Sequence, residues 1–174
     1  MNQDYTTSEI SETRRAMTQR NETLATAFEQ VAGRILTVAD GLSDAAWGVA
    51  PAGEARTAGQ IAYHTAEVYH NVSGFIQMAV GGQPLPALTM AIIHGFNAEQ
   101  AARYAGAGRA GALEMLRQNG AATAAMLRTL SDAQLDTGTA FLGHPITVEG
   151  LAQNGLVAHA EEHLASIRGA AASA

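Results

Sequence analysis

Cysteine and lysine are both absent from this 174-residue chain. Without cysteine there can be no disulfide, thiolate nucleophile, iron–sulfur ligation or sulfur-rich structural zinc site, which leaves nitrogen and oxygen as the strong metal ligands. Without lysine, all ten basic residues are arginines, and sixteen acidic residues bring the formal charge to -6. No basic cluster of the kind that follows a phosphate backbone is present, so nucleic acid is excluded as the expected partner. Aromatic residues make up 5% and charged residues 15% of a chain that is 47% hydrophobic. The interior must then be filled by Ala, Leu, Val and Ile in closely packed helices. No apolar run approaches the ~18 residues of a membrane span. The opening MNQDYTTSEISETRR is polar and acidic where a secretory signal would be basic and then apolar. These absences lead to the expectation of one cytoplasmic domain without a membrane partner.

The residues that are present recur at helical spacing. Met17, Leu24, Phe28, Val31, Ile35 and Val38 form a buried stripe that ends at Asp40 and Gly41. A second helix is expected from a capping Thr57, with Gln60 three residues on and a stripe of Ile61, His64, Val68, Val72, Phe75 and Ala79. Gly81 and Gly82 stop it, and GGQPLPALTMAIIHGF reads as a long crossover able to cover a pocket mouth. A third helix is expected from near Asn97, weakened by Gly106, Gly108 and Gly111, with Leu113, Leu116, Thr123, Leu127 and Leu130 on one side. The last begins at Thr147, after Pro145, with Ala152, Leu156, His159, His163 and Ile167 facing inward. GLSDAAW at 41–47 is echoed by TLSDAQL at 129–135. Without a convincing alternating strand, the pattern predicts an all-α four-helix bundle over residues 15–168. A polar segment at 1–14 would precede it and a frayed tail at 169–174 would follow.

Three histidines fall on the inward stripes. His159 and His163 lie one helical turn apart on one face, and His64 would join them if the two stripes face each other. Zinc, nickel or another first-row divalent ion accepts three imidazoles and keeps open positions, as a catalytic site requires. Metal-bound water, or a substrate thiol replacing it, would then be the nucleophile. The plain alternative is a set of satisfied core histidines. Glu67, three residues beyond His64, is the candidate catalytic carboxylate, against a solvated helix face. Glu161 and Glu162 read as surface charges and Glu149 as a first-turn carboxylate favoured by the helix amides. His70 and His94 read as surface or loop residues, and His144 as a minor candidate for substrate contact. Trp47 and Tyr63 read as packing or pocket lining.

LSDAAW before the second helix, QIAYH around His64 and HAEEH around His159 and His163 occur in an order that resembles the DinB/YfiT-like family of metalloenzymes. The resemblance spans roughly residues 15–168 and implies an up-down-down-up bundle. In such proteins one histidine of the second helix and an HxxxH pair of the fourth hold a divalent metal, commonly nickel or zinc, which here gives His64, His159 and His163. It also implies thiol S-transferase or hydrolase chemistry on a small molecule, with a low-molecular-weight thiol as cosubstrate, in a homodimer. No thiol signature is visible, and Arg103 or Arg109 would contact an anionic group only if the glycine-rich surroundings turn it inward. The competing reading is a noncatalytic helical ligand-binding or assembly module with a structural metal or none.

Overall fold

The computed structural model describes residues 19–173, so the polar segment 1–14 and Met17 lie outside the described residues. Helix α1 (Gln19–Gly41) buries Leu24, Phe28, Val31 and Ile35 as the spacing predicts; Ala39 completes the stripe and Val38 is half-buried. The two LSDA echoes become one-turn helices, α2 (Asp44–Trp47) and α6 (Asp132–Leu135). Ser43 caps the first and Ser131 the second, each hydroxyl accepting from the amide three residues on. Helix α3 (Ala58–Val80) opens on the expected capping box, with Thr57 and Gln60 each bonding the other's backbone.

The crossover differs from its sequence reading. Its helix α4 (Met90–Arg103) begins seven residues before Asn97, under a cap from the Thr89 hydroxyl. Gly106 then takes a left-handed φ of 77°, a conformation glycine adopts without steric cost. The expected single third helix is therefore two, α4 and α5 (Arg109–Arg128). A second difference is a small antiparallel hairpin, β1 (Gly138–Phe141) with β2 (His144–Thr147). Leu142 and Gly143 turn it with φ of 52° and 80°, the signature of a two-residue hairpin turn. Strands this short leave almost no alternation to read. Helix α7 (Val148–Ala152), a π-helical stretch (Gln153–Ala158) and α8 (His159–Ser173) form one continuous last helix that starts, as expected, at a Thr147 cap. It continues past Gly169, and Ala170 is fully buried.

Hydrogen bonds between helices fix the topology. Asn21 at the start of α1 donates to the Arg128 carbonyl at the end of α5, at 2.6 Å. Arg109 at the start of α5 donates to the Asp40 carbonyl near the end of α1, at 3.5 Å, so this pair is antiparallel. Tyr63, Asn119 and Thr123 tie α3 to α5 in parallel through the carbonyls of Gly108, Ala66 and Tyr69, at 2.8, 2.8 and 3.2 Å. Arg20 with Glu149 and Arg34 with Glu161 align α1 with the last helix. Gly155 against Val72, and His159 against His64, set that last helix antiparallel to α3. The result is an up-down-down-up four-helix bundle. A parallel second and third helix require a connection as long as the bundle, and α4 with its flanking loops supplies it.

Candidate metal centre

His64 lies two turns into α3 and His163 one turn past the start of α8, and the antiparallel packing of these helices brings them level. The Nε2 atoms of His64 and His159 are 3.4 Å apart, and those of His159 and His163 are 3.0 Å apart. One ring nitrogen from each of the three lies within 4.8 Å of the others. Nitrogen ligands about 2.0–2.1 Å from a tetrahedral ion stand ~3.3 Å from one another, close to these separations. His64 and His163 are buried and His159 is half-buried at the open side.

Burial makes these rings poor bases. It pushes His64 down to about 4, assisted by the charge of Arg56 and opposed by a hydrogen bond to Gln100. His163 falls to about 2, from burial first and then from the neighbouring His159, His64 and Arg56. His159 is lowered by burial and by Arg56, with Glu162 opposing. The shifts favour the uncharged ring, which keeps one N–H and offers one nitrogen lone pair, the form in which imidazole binds metal. The cluster is thus capable of coordinating a divalent cation.

Glu67 sits behind the ligands. Its carboxylate, which only accepts, takes bonds from the Gln100 amide, the Tyr104 hydroxyl and, at 3.2 Å, Arg103. The Gln100 NH2 must therefore face Glu67, which turns its carbonyl oxygen toward His64 Nδ1, 2.5 Å away. That oxygen can only accept, so His64 carries its proton on Nδ1 and leaves Nε2 bare toward the cluster. Gln100 is buried, and Tyr104 stacks on Tyr63 with centroids 4.0 Å apart. The residues that cover this end of the bundle thus lie beyond the 81–96 stretch expected to do so: they are Tyr104 and the second half of α4. Its Gln60–Ala101 bond of 2.8 Å pins it to the cap of α3.

A model of the DinB superfamily matches residues 27–167. The chain belongs to the DinB superfamily. Among solved structures it is similar to YfiT from Bacillus subtilis, described as a probable metal-dependent hydrolase with an unusual four-helix bundle topology. The TM-score is 0.68, with 18% identity over 99% of this chain and 91% of that one. At that identity the likeness is one of fold. No curated protein matches the sequence.

Of the other candidates of this DinB-superfamily chain, Arg103 and Tyr63 touch the polar network through Glu67 and Tyr104, and the rest make contacts of their own. Trp47 packs on Gly59, where a Cβ would come within 2.5 Å of its indole, and lies under the Arg109 guanidinium at 5.3 Å. Arg109 is paired with Asp44 and Arg103 with Glu67. His70 and His94 are exposed, and His144 is exposed on β2 opposite Phe141. Glu149 and Glu161 pair with Arg20 and Arg34. A groove of about 590 Å³ lies elsewhere, between Arg20 and Thr23 of α1 and Gln153 and Asn154 of the last helix. The spacing of residues pointed to neither Gln100 nor Arg56. Gln100 meets His64 across 36 residues of chain, and Arg56 is marked only by standing immediately before the Thr57 cap.

Proposed function

We propose that the chain is a metal-dependent enzyme in which His64, His159 and His163 hold a divalent ion, nickel or zinc, against a small electrophilic substrate. The observation that carries this reading is the convergence of three imidazoles, two buried and one half-buried, each with a ring nitrogen within 4.8 Å of the others. Three imidazoles drawn together in this way have taken their rings out of water, and a shared ion is the partner that would satisfy all three nitrogens at once. When bound, the ion supplies Lewis acidity that lowers the pKa of water or of a low-molecular-weight thiol. In hydrolysis an O–C bond forms and the leaving-group bond breaks, with the proton of water passing to the leaving group. In thiol transfer an S–C bond forms instead, and the thiol proton goes the same way.

The protein's own part is orientation. Glu67 aligns Gln100, and Gln100 aligns His64. For Glu67 to take a proton from water or thiol directly, it would have to exchange its bonds to Gln100 and Tyr104. The homodimer implied by the resemblance and the cytoplasmic location expected from the polar N-terminal sequence belong to this reading; light scattering on purified protein tests the dimer.

Elemental analysis of untagged protein is the deciding experiment, beside the His159→Ala/His163→Ala variant checked by circular dichroism. About one nickel or zinc per folded chain, lost from a folded variant, is the expected result. Electrophile loss with and without added thiol then separates transfer from hydrolysis. A wild-type chain that stays metal-free after reconstitution overturns the reading in favour of a noncatalytic helical module.

A further inference from the structure

Arg56 is the second polar feature of the histidine end, and its donors are only partly used. One Nη2 bond of 3.2 Å goes to Glu54, whose other oxygen is taken by the Ser166 hydroxyl at 3.2 Å. Ser166 stands one turn beyond His163 on α8, so this chain of contacts ties the guanidinium to the helix that carries His159 and His163. Its Nη1 is buried and has no hydrogen-bond partner among the described residues. Arg56 and Glu54 side chains are 17% and 21% exposed. The cluster itself offers three neutral donors and no carboxylate ligand. A divalent ion there would add two positive charges near a fixed guanidinium whose own carboxylate partner is Glu54, while Glu67 is already paired with Arg103 and Glu162 stands 3.8 Å from His159. The unbonded Nη1 is the donor that an anion beside the ion would take. A planar carboxylate matches the guanidinium fork and can face a metal on its other side.

We infer that Arg56 is the substrate-recognition residue of this site and that the substrate carries a carboxylate close to its reacting carbon. The inference rests on the metal-dependent reading for its full form, but Arg56 should bind an anion whether or not the metal is present.

The test uses benzoate as the probe and benzamide as its neutral counterpart, on full-length wild-type, Arg56→Gln and Arg56→Lys proteins. Binding is followed in metal-free protein by the NMR shifts of the backbone amides around residue 56 and His163, which all three proteins share. In cobalt-substituted protein it is followed by the ligand-field spectrum. Metal content and circular dichroism are recorded for each variant. Benzoate is expected to bind wild type and to lose about 10-fold or more in Arg56→Gln, the loss of one charge-assisted contact. Arg56→Lys should recover part of the loss, and benzamide should bind none of the three proteins measurably. Equal benzoate affinity in wild type and Arg56→Gln overturns the inference. So does equal binding of benzoate and benzamide to wild type, a comparison that needs no variant to fold. Anion binding without metal uptake would remove the proposed enzyme chemistry and leave Arg56's role standing; metal uptake with indifference to benzoate would do the reverse.

Discussion

Two arginines at opposite ends of the bundle make different use of the same side chain. Arg128, at the end of α5, grips Glu29 through both terminal nitrogens at 2.6 Å and Glu22 through Nε at 3.0 Å. Its neighbour Arg20 joins Asp136 and Glu149 in the same way, at 2.8 and 2.7 Å. These pairs are exposed to water, where ion pairing gains little. At the histidine end, Arg56 is mostly buried, shares one carboxylate with Ser166 and keeps a donor unbonded. At one end both guanidinium groups are paired with carboxylates, although Asp132 Oδ1 nearby is buried without a partner; at the other a guanidinium donor is left unbonded beside the three histidines. The second arrangement is the one that the proposed metal and anion would complete.

The largest break in that contrast should come from Gln100→Leu. Removing the amide uncouples Glu67 from His64 and frees the ring to take the other tautomer. Metal affinity is expected to fall about 10- to 100-fold with the fold intact, measured by competition against a chelator. An unchanged affinity would make Gln100 mere filling.

Acid should distinguish the ends next. The folded pKa values of His64 and His163 lie below the ordinary ~6.5 of an unfolded histidine, so above that pH neither state carries the extra proton and nothing is lost. Below it the unfolded chain binds protons that the folded chain refuses. For His163 the loss is about 1.4 kcal/mol per pH unit, continuing toward its folded value of about 2. The melting temperature of metal-free protein should drop steadily from pH 7 to pH 5, and the slope should flatten in His159→Ala/His163→Ala. The clasped end adds nothing in that window: Asp136 and Glu29 are held below the usual carboxylate range by Arg20 and Arg128, so they stay charged.

The smallest effect is expected from Arg128→Ala. It should lower the melting temperature slightly, and the difference should vanish in about 1 M salt, where screening acts within ~3 Å. A large, salt-resistant loss would show that the clasped end carries structural weight after all.

The distance between what was legible and what was not follows the range of the forces involved. Helical stripes, the Thr57 and Thr147 caps and the paired LSDA turns depend on residues three or four apart, and each is where the spacing puts it. The inward placement of His64, His159 and His163 follows from the same local rule. The α4 helix was less legible because its exposed Met90, Ile92 and Phe96 leave it without a buried stripe. Gln100 and Arg56 gain their meaning only from partners brought near by packing, as when Gln100 meets both His64 and Glu67. Arg103 and Arg109, whose glycine-rich setting made them candidates for an anion, are paired with Glu67 and Asp44 instead.

The π-helical stretch Gln153–Ala158 separates the two halves of the last helix immediately before His159. A π turn holds one residue more than the α turn it replaces, so the stretch works as a vernier between the hairpin end and the ligand pair. Wound instead as an unbroken α-helix with the same number of residues, the rod would swing His159 and His163 by about 100° relative to Val148 and Leu151. The chain could then keep its hairpin seated or its histidines aimed inward, but not both. The wide turn absorbs the spare residue and lets one rod satisfy two independent addresses.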